Sequence, residues 1–252
     1  MFEEIAFVIV PVLLMAGVGY AISRSSLDID SESLGRLVVM VGTPSLVFST
    51  LTSPDLPELS LSGTVQAALL VTVCAGSLSA GFLLLTRQPI RSFLPSLTLP
   101  NSGNVGLPVV LLAFGQQGLA IGVAFFFVIA LLQYSFVPAI MDGRFSLTRI
   151  LKEPLVYALL AVFLFRLTDT TPHPIILQTT ELLGGMMIPV MVILLGYSLG
   201  QLQVSDLRLS LILALARIVI GTTSGLLVIW LLGLQGVEAG SVFLMASMPC
   251  AM

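Results

Sequence analysis

The chain has 252 residues, of which 57% are hydrophobic and 9% charged, and its mean hydropathy is +1.09. A soluble domain carries about 25% charged residues, so this composition excludes an ordinary water-exposed globule. The formal net charge of −3 argues against a nucleic-acid partner.

A membrane-spanning helix needs about 20 mostly apolar residues. By that measure spans fall near 5–23, 34–52, 64–85, 93–114, 118–140, 154–168, 175–199 and 209–232. A ninth begins near 237 and runs to Met252. Turn residues separate the spans at Ser53-Pro54-Asp55-Leu56-Pro57, Arg87-Gln88-Pro89 and Thr171-Pro172-His173-Pro174. The start, Met1-Phe2-Glu3-Glu4, has no basic n-region, and no small-residue cleavage site follows the first apolar run. It is therefore read as a first transmembrane helix and not a signal peptide. Cys74 and Cys250 lie in apolar segments and read as packing residues, with no disulfide, metal site or cofactor expected.

The basic residues orient these spans. Arg24, Arg36, Arg87, Arg91, Arg144, Arg149, Lys152 and Arg208 flank odd-numbered connections, Arg166 alone lies at an even one, and Arg217 is inside a span. Basic loops face the cytoplasm, which predicts a multi-pass protein of the plasma (inner) membrane with its N-terminus outside.

Span four is broken. Pro100-Asn101-Ser102-Gly103-Asn104-Val105-Gly106-Leu107-Pro108 interrupts an otherwise apolar run. Two prolines, two glycines and two asparagines in nine residues do not sustain a helix. At membrane depth such a break survives only when buried in protein or lining a cavity. Spans two and seven each carry a central proline, Pro44 and Pro189, 145 residues apart. The same shift carries span three onto span eight and span one onto span six. It carries Pro100 to Asn104 onto Met245 to Pro249, a second polar, proline-bearing break. The expected unit is thus five spans, in repeats 1–145 and 146–252, and an odd number of spans inverts the second copy. Paired interrupted helices in inverted halves point to a transporter's substrate site. Two such units predict roughly 300 residues and ten spans, so the expected fold is cut short in span nine.

At these residues the chain resembles the auxin efflux carrier family, which includes bacterial carboxylate carriers and the plant PIN exporters. The resemblance rests on Leu99 to Pro108, Gly42-Thr43-Pro44, Ile188-Pro189 with Leu195-Gly196-Tyr197-Ser198-Leu199-Gly200, and Met245-Ala246-Ser247-Met248-Pro249. It implies an all-α polytopic membrane fold of two inverted five-helix repeats. In it, spans four and nine unwind and cross, and a scaffold part and a transport part move relative to each other. Pro100 and Pro249 would mark the crossovers, with Asn101 and Asn104 beside the substrate.

Half-helices that meet at a break aim N–H groups into the gap, which favours anions without a buried Lys or Arg. Asn101 and Asn104 each offer an acceptor and two donors, for substrate or for the unwound backbone. Ser102, Gly103 and Pro249 complete the expected binding set. Pro100, Gly106, Pro108, Pro44 and Pro189 shape the breaks, and the glycines suit close backbone crossing. Gln133 and Tyr134 in span five, Glu181 in span seven and Arg217 in span eight are candidates for the path or for coupling. Arg217 is close enough to the cytoplasmic surface to snorkel, which favours a structural role over coupling.

The expected function is secondary active transport, of the efflux-carrier type, of small organic anions such as auxin-like compounds or dicarboxylates, by alternating access. Coupling to a proton or to sodium, and a homodimer, are left open. A non-transporting scaffold or receptor is the alternative. An intramembrane hydrolase would use Gly196-Tyr197-Ser198-Leu199-Gly200, which matches a nucleophile elbow. That stretch ends a helix, and the one histidine, His173, lies at its other end, so the small residues read as helix packing and no enzyme is expected.

Overall fold

The computed structural model describes residues 2–27, 29–53, 61–143, 147–202 and 206–250. Residues 54–57 of the expected second turn, Arg144 and the last two residues of the expected ninth span lie outside that set.

Among the described residues the regular structure is helical, apart from one isolated β-bridge. The helices are α1 (Phe2–Ser23), α2 (Ser31–Leu37), α3 (Thr43–Thr52), α4 (Leu61–Leu85), α5 (Ile90–Thr98), α6 (Leu107–Asp142), α7 (Leu147–Ile150), α8 (Pro154–Leu167), α9 (Pro174–Gly185), α10 (Met187–Gln201), α11 (Leu207–Leu232) and α12 (Gly236–Ser247). Six stretches are long and apolar enough to cross a membrane: Ala6–Ser23, Ser31–Thr52, Ser62–Leu85, Ser102–Met141, Pro174–Gln201 and Leu207–Leu232. Pro154–Leu167 and Gly236–Ser247 are shorter apolar helices. Phe7, Leu85, Leu182 and Trp230 are among the large apolar side chains left on the outside, the surface a multi-pass membrane protein presents to lipid.

Local chemistry sets the helix ends. Asp30 and Asp206 cap α2 and α11, their carboxylates accepting from the Ser33 and Leu209 N–H groups at 3.1 and 3.0 Å. Pro154 and Pro174 open α8 and α9, where a missing N–H costs nothing. Gly143 and Gly233 close α6 and α11 in the left-handed conformation. The stretch Ser102–Met141 holds the second half of expected span four and all of span five, because the chain reverses at Gly115. Its φ of 63° and ψ of −152° suit glycine almost alone. Beyond it, Gly118 and Gly122 pack back onto Val110.

Two wide, π-helical turns precede prolines in the same register, Val38–Gly42 before Pro44 and Ser102–Gly106 before Pro108. Proline cannot donate to the ladder, so each turn widens ahead of it. Both wide turns end in Gly-x-Pro, as Gly42-Thr43-Pro44 and Gly106-Leu107-Pro108.

The helices pack as two groups. One holds α1, α2, α3, α8, α9 and α10, the other α4, α5, α6, α11 and α12. In the first, α1 and α10 approach to backbone contact: Gly19 meets Ile193 and Tyr197, Gly196 meets the Ala16 carbonyl and Gly200 meets Ser23. These contacts advance together along both helices, so α1 and α10 run parallel, as two odd-numbered spans must. The Gly196-Tyr197-Ser198-Leu199-Gly200 stretch is thus a packing face, as small residues permit. Gly42 meets Met187, and Gly184 meets the Leu46 backbone, so spans two and seven touch at their interruptions. Arg166 donates to the Leu51 carbonyl at 3.1 Å, tying the ends of α8 and α3 together.

Gly196→Val is expected to separate α1 from α10 and lower the melting temperature of the detergent-purified protein by many degrees. Gly17→Ala on α1, the partner helix, where an added Cβ meets nothing within 4 Å, is expected to leave it unchanged or raise it. Equal melting of the two variants would show that the close approach contributes nothing.

Candidate functional site

Helices α5 and α12 each end in extended backbone, at Leu99 and Met248. The strands of chain that follow meet. The Asn101 N–H donates to the Pro249 carbonyl at 2.7 Å, and Pro100 pairs with Cys250 in an antiparallel bridge. The two proline-bearing breaks seen in the sequence are therefore one place in the structure.

A single cation joins the helix ends. Arg217, on α11, is 2% exposed. Its guanidinium donates through Nη1 to the Leu97 carbonyl at 3.2 Å and through Nη2 to the Ala246 carbonyl at 3.0 Å. Those carbonyls belong to the last turns of α5 and α12, whose C-terminal dipole ends carry partial negative charge. In place of snorkelling to a surface, Arg217 is held inside. Small residues let α11 come near enough: Gly221 lies against the Ala246 carbonyl and Gly225 against the Ala246 side chain. Thr222 adds a hydroxyl contact to Ser247 at 3.3 Å.

Past the break the chain restarts as a helix, and Asn101 caps it. Its side-chain oxygen accepts from the Asn104 N–H at 3.2 Å, and its carbonyl accepts from the Gly106 N–H at 3.1 Å. Asn101 and Ser102 are buried, at 4% and 2% exposure, whereas Asn104 is half-buried. The Asn104 side chain makes no hydrogen bond to the described protein. Gly103 and Gly106 serve close approach: a Cβ at Gly103 would sit 2.9 Å from the Phe126 ring, and one at Gly106 would sit 2.7 Å from Met245 Sδ.

These residues open onto a cavity of ≈ 220 Å³ in the seam between the two helix groups. The α5–α6 side supplies Pro100, Asn101, Ser102, Gly103, Asn104, Phe126, Gln133 and Tyr134, and the other side supplies Val39, Thr43, Glu153, Met187 and Met191. A second cavity, of ≈ 380 Å³, lies in the same seam, lined by Ser49, Thr50, Ser53, Gln116, Glu181, Ile188 and Pro189. Ser53 and Gln116 adjoin the second and fourth connections, and Glu153 ends the fifth, so the cavities face opposite ends of the bundle.

The expected site residues thus fall into three places. Pro100 to Asn104, Gln133 and Tyr134 share the first cavity, with Thr43 beside Pro44. Glu181 and Pro189 lie at the second. Arg217, Gly106, Pro108 and Pro249 line neither and shape the break from behind. Sequence reasoning missed Thr43 and Glu153 as cavity residues. Glu153 follows Lys152 in a basic connection and precedes the helix-opening Pro154, so it reads as a loop acid until the fold turns it inward. His173 is engaged elsewhere, its Nδ1 accepting from the Ile175 N–H at 3.3 Å to cap α9.

The chain is similar in sequence to known membrane transport proteins. A family model described as membrane transport protein matches residues 143–252. Over 263 aligned residues the chain is 26% identical to an uncharacterized transporter of Methanothermobacter thermautotrophicus, covering 97% of this chain and 84% of that protein.

Arg217→Ala is expected to cost two charge-assisted hydrogen bonds, each worth about 1.5–3 kcal/mol, and to lower the melting temperature accordingly. Arg217→Lys should lie between, because a point ammonium lacks the planar fork that reaches two carbonyls. An unshifted melting temperature for Arg217→Ala would mean that the helix ends hold together without the cation.

Proposed function

The chain is similar to membrane transport proteins, in its motifs to the auxin efflux carriers, and from that premise we propose that it is a secondary carrier of small organic anions. One observation carries the reading. Two interrupted helices meet inside the bundle, and the meeting point opens onto a polar cavity in the seam between two separately packed helix groups.

In this reading residues 1–145 and 146–252 are inverted repeats, and α5 and α12 are the leading halves of two crossover helices. The carrier sits in the plasma membrane with its N-terminus outside. The anion's carboxylate lies at the first turn after the break, where Ser102 to Asn104 present a helix N-terminus to the cavity. Asn104 supplies a side-chain amide without another protein partner, and Gln133 and Tyr134 face it from the long arm of α6. Asn101 holds the helix start, its oxygen committed to the cap. The α4–α6, α11 and α12 group carries the substrate past the α1–α3 and α8–α10 group, which exposes it at the two cavities in turn. Auxin-like monocarboxylates and dicarboxylates are the substrate classes that the family resemblance suggests.

Asn104→Ala is expected to abolish carboxylate uptake into proteoliposomes with melting temperature and membrane insertion unchanged. Asn101→Ala is expected to lose uptake and also about 1 kcal/mol of stability from the missing cap. Normal uptake by Asn104→Ala would overturn the site assignment. In a thermal-shift panel of indole-3-acetate, benzoate, succinate and malate, at least one should stabilise the protein; no shift with any would remove the support for an anion.

A further inference from the structure

The seam cavity proposed to take an organic anion holds a carboxylate and no positive side chain. Among its described lining residues, Glu153 is the one with a formal charge. Its surroundings come from every element of the seam. The α6 helix faces it with Tyr134 and Gln133, the break with Asn101 and Asn104, the wide turn before α3 with Val39, α3 with Thr43, and α10 with Met187 and Met191. Lys152 precedes it in the chain and is exposed. Arg36, three residues before Val39, is exposed and paired with Glu32 instead. Glu153 stands at the cap position of α8, yet its side chain makes no capping bond there. Among the described residues it forms no ion pair.

An anion and an ionised Glu153 in one cavity of ≈ 220 Å³ would repel each other with no cation between them. A protonated carboxyl removes that repulsion and adds an O–H donor aimed at the anion. We propose that Glu153 is the proton-binding group of this cavity, and that the organic anion binds together with one proton held on its carboxyl. This rests on the anion reading above and names the coupling ion for it. Burial already pushes the Glu153 carboxyl up from its ordinary value, and a bound anion raises it further.

The sign follows. The form that binds is the protonated one, so affinity is greatest at low pH. It weakens as pH rises from the free-state pKa toward the pKa in the complex, by up to about tenfold per pH unit in that window. Above it, affinity levels off at the weak binding of the ionised form.

The test uses the full chain purified in detergent, with benzoate and indole-3-acetate titrated from about pH 5.5 to about pH 8, where both probes stay ionised. In the wild type the affinity should fall about tenfold or more across that range, with proton uptake from weakly buffered solution on binding. Glu153→Gln, which keeps the shape and the neutral state, should bind at every pH as tightly as the wild type does at low pH, without proton uptake. Wild-type binding that ignores pH, or a Glu153→Gln protein with the wild-type slope, overturns the role of Glu153 and leaves the anion reading standing. If the wild type binds neither probe at any pH, the anion reading falls and this proposal with it. A folded Glu153→Gln protein that binds nothing also overturns the proposal, since the neutral side chain should suffice.

Discussion

The site depends on one buried cation shared by two helix ends. Moving a guanidinium out of water is costly, and the usual remedy is a carboxylate. Arg217 has none in its contacts; it is offset by the carbonyls of Leu97 and Ala246, the terminal groups of α5 and α12. Those helix ends have their own need, because orphan carbonyls at the bundle centre find no water. The Nη1 and Nη2 groups and these two carbonyls satisfy one another, while the buried Nε has no partner among the described residues, and the contact goes with Pro100 beside Cys250 and Asn101 against Pro249. Without that anchor the second half-helix would have no defined starting point. Asn101 would then have no fixed helix start to cap, and Asn104 would not be held toward the cavity.

The remainder of the architecture positions a seam. Within each helix group, glycines bring backbones into contact, as along α1 and α10 or between α11 and α12. Between the groups, two polar cavities lie toward opposite ends of the bundle, and each has one acidic residue, Glu153 or Glu181. These two polar cavities lie in the seam, whereas an apolar groove of ≈ 600 Å³ lies within the second group, between α4, α5 and α6. The matched Gly-x-Pro turns at Pro44 and Pro108 add backbone that is already off the regular ladder on either side of the first cavity.

Much of this was legible in the chain. Apolar runs of about 20 residues give the spans, and α1, α4, α8 and α11 fall where those runs predict. The break at Pro100 to Pro108 is visible because proline and glycine act through the local backbone, whatever surrounds them. Gly115, whose backbone sets the reversal after span four, falls in the gap left between the runs 93–114 and 118–140. The small residues of Gly196 to Gly200 could be read as a packing face, though their partner could not.

Arg217 and Glu153 mark where that legibility stops. By position along its span, Arg217 reads as a residue that reaches toward the cytoplasmic surface, yet the structure turns it inward. Two carbonyls more than twenty residues away in sequence decide that, at Leu97 and Ala246. Glu153 sits in a basic connection and looks solvated, until α6, α10 and the wide turn before Pro44 close around it. Composition, span placement, the breaks and the sided distribution of charge were determined by the sequence alone, because they follow from transfer free energies and backbone geometry within a few residues. The pairing of the two breaks, the inward turn of Arg217 and the acid in the cavity were decided only by tertiary structure. They depend on which distant groups end up within hydrogen-bond or Coulomb range, and no local pattern records that.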